Sequence, residues 1–363
     1  MSKGYIVKRA ERLRKEMAKT GTDAFVVITD EGFNWETLYY LSGFRGTSGA
    51  LVIYKDSAEL ILDGRYREQG ETQSPHPVLA QKNSLTDDVI GSISAHGAQK
   101  ILCEASKTSH ATWEKLSSAK TTRWSDATYI ISELRRSKDG HEAECIMKAG
   151  EIAAEAFLLT LESVMPGMTE KEFEALLNFH INKFGGETGF DMIVASGKRS
   201  SMPHGRATGK KMADGEWVTV DFGVRYMGYF CDITRNFSLG EPDQRAVHYH
   251  DILFSAHEAA AKALSPGAAG TDVYKTAFDV IESVGLGRYF THGLGHGLGI
   301  EIHEPPYLSS KYSYELKPGD VVTVEPGIYI QGWGGLRLED NYLIIDRGAK
   351  RLTEKLDQSF YRI

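Results

Sequence analysis

VDFGVRYMGYFCDITRNF (220–237) reads as a β-hairpin with one acidic residue on each arm, Asp221 and Asp232. Val218–Phe222 and Tyr229–Phe237 are rich in β-branched and aromatic residues, and a short turn containing Gly228 separates them. With Tyr226 and Met227 as a two-residue loop, Asp221 and Asp232 stand directly opposite on one face, Cβ atoms roughly 5 Å apart. A bulge at Gly228 would shift that register. Directly opposed like charges destabilise a sheet, and a bound cation removes the penalty. A pair of solvated strand carboxylates is the plainer reading of the hairpin alone.

Two further stretches bear on the choice. VEPGIYIQGWGGLRLED (324–340) carries Glu325 and Glu339, and THGLGHGLGIEIHEPP (291–306) carries His292, His296 and His303. Four carboxylates plus an imidazole suit two divalent ions of the Mn, Co, Fe or Zn class. Two such ions a few ångströms apart can share a water and turn it into hydroxide near neutral pH, which points to a hydrolase. The glycines at 293, 295, 297 and 299 lack the Lys-Ser/Thr of a P-loop and the dinucleotide spacing, so close backbone approach to the site explains them better. Cys231 alternates to the strand face opposite Asp232 and reads as a buried structural thiol.

An internal repeat ties these stretches together. ESVMPGMTEKEFEALLNFHINKFG (162–185) resembles KALSPGAAGTDVYKTAFDVIESVG (262–285), with Pro166-Gly167 and Pro266-Gly267 in register. Each Pro-Gly follows a helical run, Ile152–Val164 or Ile252–Leu264, and precedes a second helix with a Thr N-cap candidate, Thr169 or Thr271. Thr169 and Glu172 make a capping box. After each helix pair comes a histidine, His204 or His303, and a hairpin with two acidic residues. One α-α-β-β unit is used twice, and a pseudo-twofold arrangement brings both acidic pairs to a common cavity.

Upstream, the chain alternates α and β. A helix at about 3–19 leads to AFVVIT (24–29); ALVIY (50–54) and AELILD (58–63) read as a hairpin; VLAQ (78–81), a helix near 86–96, KILCE (100–104) and a helix near 109–119 follow. Tyr39, Tyr40 and Phe44 are core residues or close a substrate pocket. The fold class is therefore an α/β N-terminal domain, 1–132, and an α+β C-terminal domain, 137–363, with an internal pseudo-twofold repeat; the charged stretch SELRRSKDGHEAE (132–144) holds the boundary.

At 363 residues with 41% hydrophobic content the chain suits two globular domains, and its net charge of −7 gives no reason to expect nucleic-acid binding. Three cysteines without a CxxC argue against a disulfide framework. No run approaches a membrane span, and YIVKRAERLRKEMAK reads as an amphipathic helix rather than a signal core. The expectation is a cytoplasmic protein with no membrane partner.

The motifs PHG (203–205), DFG (221–223), CDITRNF (231–237), HGLGHGLGIEIHEPP (292–306), EPGIY (325–329) and GLRLEDN (335–341) resemble those of the pita-bread metallopeptidases, nearest in pattern to aminopeptidase P and prolidase. YYLSGFRGT (39–47) and LILDGRYREQ (60–69) extend the likeness upstream. The resemblance implies a pita-bread C-terminal domain, a homodimer and two divalent ions per chain (Mn, Co or Zn, Mn first). It implies that Asp221 chelates one metal, that Asp232 and Glu339 bridge the pair, and that His296 and Glu325 complete the second. Glu325 would also take and return the proton of the attacking water. His204 and His303 would hold the substrate carbonyl, with His292, Tyr329 and Arg337 as outer residues. An imidazole can fix a carbonyl oxygen or shuttle a proton, and an arginine can orient a carboxylate. None of the five ligand positions departs from the pattern, which argues against a metal-free creatinase-like C–N hydrolase and a non-catalytic binding module. The upstream domain and the HGLGHGLGIEIHEPP motif favour the proline-directed branch over methionine aminopeptidases.

Proline specificity does not follow from metals. An Xaa-Pro bond has no N–H and a fixed φ, so the enzyme needs an apolar ring pocket; Phe190 and Ile193, in GFDMIVASG, are the candidates by resemblance. A dipeptidase must also grip the carboxylate on the proline. Some prolidases carry an Arg just after the second histidine motif, where HEPPYLSSK has Tyr307. The expected substrates are therefore proline-containing peptides of the Xaa-Pro-Yaa kind, cleaved after the first residue, with Xaa-Pro dipeptides as the alternative.

Overall fold

AFVVIT and GALVIY are apolar almost without a break, and both become strands buried nearly throughout. A computed structural model describes residues 3–118 and 121–363, and the chain divides into two units, Met1–Arg135 and Arg136–Ile363. In the first, β1 (Ala24–Thr29), β2 (Gly49–Tyr54), β3 (Ala58–Leu62), β4 (Val78–Ala80), β5 (Lys100–Cys103) and β6 (Arg123–Asp126) make one mixed sheet in the order β4-β3-β2-β1-β5-β6. Its helices are α1 (Lys3–Thr20), α2 (Trp35–Ser42), α3 (Arg67–Gln73), α4 (Leu85–Ala95) and α5 (His110–Ser117); α6 (Thr128–Arg136) runs up to the division. Helix α1 buries Ile6, Ala10, Leu13 and Met17, the three-to-four spacing of one helix face. WETLYYLS, given no element by the sequence reading, is α2. Tyr39, Tyr40 and Phe44 are buried there; the Tyr40 hydroxyl donates to the Leu134 carbonyl at 2.9 Å, and the Arg9 guanidinium lies 4.6 Å above its ring.

The second unit has two helix pairs, each over its own strands. Helices α7 (Gly140–Leu161) and α8 (Glu170–Lys183) cover β7 (Glu187–Thr188), β8 (Ile193–Ser196), β9 (Trp217–Tyr226) and β10 (Tyr229–Ser238). Phe157 stacks on Phe222 at 5.5 Å and Phe173 on Phe237 at 5.2 Å. Helices α9 (Gln244–Ala263) and α10 (Gly270–Glu282) share a second core with β11 (Gly295–Gly297), β12 (Glu304–Leu308), β13 (Val321–Val324), β14 (Gly327–Ile330), β15 (Gly334–Arg337) and β16 (Asp340–Ile344), through Ala256, Val273, Val322, Val324 and Leu336. Strand β17 (Ala349–Arg351) extends the sheet β12-β11-β13-β16, and β18 (Tyr361–Arg362) adds to β10.

The repeat is visible in the backbone. Gly167 and Gly267 have φ of 89° and 85°, left-handed values that glycine adopts without strain. Each is followed by an isolated bridge, Thr169↔Lys211 or Ala269↔Glu315. The strands repeat in sequence as well: VTVDFG (218–223) on β9 returns as VTVEPG (322–327) at β13. An isolated bridge, Thr234↔Glu339, joins the two sheets between their acidic residues.

Two local expectations need correction. The β9–β10 turn is Met227-Gly228, not Tyr226-Met227; Tyr226 pairs with Tyr229, Asp221 with Thr234 and Asp232 with Gly223. Both turn residues have positive φ, 50° and 85°, as the two-residue turn matching strand twist demands, and glycine fits the second place. The two aspartates therefore lie on one face, offset diagonally rather than opposed. Thr271 is not an N-cap: α10 starts at Gly270 with Ala269 before it, because the Gly270 N–H is tied to the Tyr314 carbonyl at 2.7 Å. The Thr169–Glu172 box forms, and Asp139–Glu142 forms another at the start of α7.

Candidate metal centre

The diagonal offset across β9 and β10 points Asp221 and Asp232 into a cavity of about 830 Å³. The second half contributes Glu325, just past β13, and Glu339, just before β16. Strand β11 adds His296. All five line the cavity, together with His204, His292, His303, Tyr329, Arg337, Phe190 and Ile193. Ile193 pairs with Asp221 across β8–β9 and shares its face. Phe190 lies over Gly223, where a Cβ would meet its ring at 2.4 Å, so only a glycine opposite Asp232 admits it. His204 and His303 are exposed at the cavity, whereas Asp221, Asp232, His296 and Glu339 are buried.

The geometry fits cations. Ligand atoms of Asp232, His296 and Glu339 all lie within 4.8 Å of one another. His296 Nδ1 faces the Gly297 carbonyl at 3.0 Å, which places the ring proton there and leaves Nε2 bare, 3.6 Å from both Asp232 Oδ2 and Glu325 Oε1. Burial, with the nearby His303, pushes His296 down to about 3, so its imidazole is neutral. Burial and the neighbouring carboxylates raise Asp232 and Glu339 well above the usual carboxylate range. Burial raises Glu325 to about 8, with Asp221 contributing and Arg337 opposing. Asp221 Oδ1 and Asp232 Oδ1 are buried and accept no hydrogen bond among the described residues. Crowded buried carboxylates with orphaned oxygens, beside a neutral imidazole, form a donor set that divalent cations would satisfy.

A second layer holds these groups. Arg337 donates to Asp221 Oδ2 at 2.5 Å, to the Tyr329 hydroxyl at 2.5 Å and to Thr234 Oγ1 at 3.0 Å. Thr234 in turn donates to Glu339 Oε2 at 2.7 Å, and Tyr329 meets His292 Nε2 at 3.1 Å. Thr323 Oγ1 accepts from the His296 N–H at 3.1 Å. Neither threonine was singled out in the sequence. The signal was there, since Thr234 lies two residues from Asp232 and Thr323 two from Glu325, on the same strand face. Behind Glu339, the fully buried Arg235 donates to the Glu339 carbonyl at 2.6 Å, to Asp340 Oδ1 at 2.7 Å and to the Thr234, Leu356 and Asp357 carbonyls.

Residues 144–346 match metallopeptidase family M24, and residues 9–137 match the creatinase/prolidase N-terminal domain. The chain is 34% identical to an Xaa-Pro dipeptidase of Pyrococcus furiosus over 349 residues, 95% of this chain and 97% of that one. Among solved structures it resembles an X-Pro aminopeptidase from Thermotoga maritima MSB8 (TM-score 0.93, 35% identity, 98% and 100% coverage) and a prolidase from Pyrococcus horikoshii OT3 (TM-score 0.88, 32% identity, 98% and 99% coverage). No helix among the described residues is long and apolar enough to cross a membrane.

Proposed function

The chain belongs to metallopeptidase family M24, and from that membership we propose that it cleaves Xaa-Pro bonds with two divalent ions per chain, releasing the first residue from Xaa-Pro-Yaa peptides. The observation that carries the metal reading is the set of five buried or half-buried donors around two carboxylate oxygens that accept no hydrogen bond. Asp221, Asp232, His296, Glu325 and Glu339 are the proposed ligands, with Asp232 and Glu339 shared and manganese the first candidate. Divalent ions held there would supply Lewis acidity and acidify water.

The chain's own residues do the rest. Glu325, whose carboxyl burial raises above the usual carboxylate range and which bound cations would ionise, is suited to take a proton from water and return it to the leaving amine. His204 and His303, exposed to the cavity, are placed to hold the scissile carbonyl and stabilise its developing charge. Phe190 and Ile193 offer apolar surface to a proline ring.

Relatives named as dipeptidases and as aminopeptidases match this chain comparably, and the cations at the site bear on substrate length. Arg337, the buried cation at the site, is engaged by Asp221 and Tyr329, and Arg206 pairs with Asp191 at 2.7 Å. Arg337 is thereby unavailable to grip a proline carboxylate, and Arg206, on a strongly exposed pair, would offer only a screened surface charge. Metal analysis of the purified protein should find about two ions per chain, and kcat/KM should be higher for Xaa-Pro-Yaa than for Xaa-Pro. Higher kcat/KM on Xaa-Pro, with longer peptides resistant, would make the enzyme a dipeptidase instead.

A further inference from the structure

Beyond the metal donors, the cavity continues along an aromatic wall. Tyr307 is the cross-strand partner of His296 on β12, so the two side chains sit side by side on one face. The Tyr312 ring lies 5.6 Å from Tyr307 and is 55% exposed, which carries the row from the buried imidazole out to solvent. The Tyr274 ring, on α10, also lines this cavity and stacks with Phe290 at 5.6 Å. Lys311 lines the same cavity, is exposed, and makes no ion pair among the described residues. Among the described residues it is the lining Lys or Arg without a carboxylate partner; Arg337 is paired inside the protein and Arg206 pairs with Asp191 at the surface.

We propose that Tyr307, Tyr312 and Lys311 form a subsite for the third residue of the substrate, with the two tyrosine rings taking its side chain and the Lys311 ammonium taking its free carboxylate. The preferred substrates are then tripeptides Xaa-Pro-Yaa with an aromatic Yaa. This rests on the aminopeptidase reading and adds a length limit to it. A proline seated beside the metal donors presents its carboxyl group near Tyr307, which is uncharged. Lys311 lies beyond the end of β12 and is suited to a carboxylate one residue further out. Flat aromatic rings stack on an aromatic side chain, and an exposed ammonium favours a carboxylate over an uncharged amide by a modest factor.

The test is kcat/KM for Ala-Pro-Phe and Ala-Pro-Gly, each as free acid and as C-terminal amide. For the native metal-loaded enzyme the acid should exceed the amide by about two- to fivefold, and Phe should exceed Gly by about tenfold. Lys311→Gln should bring the acid-to-amide ratio close to one. Tyr312→Ala should reduce the Phe-to-Gly ratio to about twofold. Both substitutions are at exposed positions, so the fold tolerates them. Equal cleavage of acid and amide, or a ratio that survives Lys311→Gln, overturns the subsite while leaving the aminopeptidase reading intact. Cleavage of Ala-Pro alone, with every tripeptide resistant, overturns the aminopeptidase reading and the subsite together.

Discussion

Asp232 has one oxygen 3.6 Å from His296 Nε2 and another with no hydrogen bond among the described residues. Replacing it by Ala removes a proposed shared ligand. Asp232→Ala should bind fewer than two ions by elemental analysis and show no measurable turnover; native-like activity with intact circular dichroism would overturn the ligand assignment. His204 and His303 should behave differently. Either one changed to Ala should lower kcat by roughly 10²-fold or more with metal content still near two, as expected for lost transition-state stabilisation. A lost metal equivalent in His303→Ala would make it a ligand. At this scale, carboxylates and histidines are legible in a sequence because their chemistry is scarce in strands. Thr234 and Thr323 are marked only by lying two residues from a carboxylate, a weak signal because a threonine in a strand is an ordinary β-former until its hydroxyl partner is seen.

Strands and helices were legible where hydrophobic period was strong: AFVVIT, KILC and the α1 face all gave their elements. The β9–β10 register was not, because one glycine admits two turn placements and only positive φ at both Met227 and Gly228 selects between them. The start of α10 was not, because a long-range bond from Gly270 to Tyr314 overrides the local capping preference of Thr271. Strand β10 also carries Arg235, which meets Asp340 inside the protein. Arg235→Met leaves Asp340 without its main buried partner and should cost about 3–5 kcal/mol in urea denaturation; a loss below 1 kcal/mol would show the pair to be dispensable. Helix α9 sets a pH dependence. His250 is buried edge-on to Phe360, and burial, with Arg235 adding to it, depresses its pKa from 6.5 to about 4. Between those values the unfolded chain binds the proton and the folded chain does not. The contribution is therefore complete above about pH 6.5 and is lost as pH falls toward 4, by about 3 kcal/mol in total. His250→Gln should flatten the stability-against-pH slope across that window; an unchanged slope would remove His250 as its cause.

Across the second unit, two similar halves each build an apolar core, Trp217 of β9 packs into the second core against Trp333 at 4.7 Å, and polar groups line the seam at the site. VTVDFG and VTVEPG place Asp221, inside β9, and Glu325, just past β13, at matching positions of the repeat, and the Thr234↔Glu339 bridge fastens the seam. The helical half of this repeat was visible in the Pro-Gly spacing. Its strand half was legible as a hairpin with two acidic residues after each helix pair, and the shared VTV tripeptide, which the sequence reading did not use, aligns the two strands residue by residue. Repulsion among the carboxylates works against the seam, and bound cations would reverse it. EDTA should therefore lower the melting temperature as well as activity. Each site held at a free metal concentration of one hundred times Kd should add about 2.7 kcal/mol.

Arg337 makes the two sides of the proposed centre unequal before any ion arrives. Its guanidinium already occupies Asp221 Oδ2, whereas Asp232, His296 and Glu339 offer three converging atoms with no arginine bound to them. The first ion should therefore settle on the His296 side, and the second should have to compete with the guanidinium for Asp221. The centre would fill in a fixed order, with a tight step followed by a weaker one. Calorimetric titration of metal-stripped protein should resolve two affinities, and Arg337→Met should draw them together; a single uniform affinity in the native protein would count against an ordered filling.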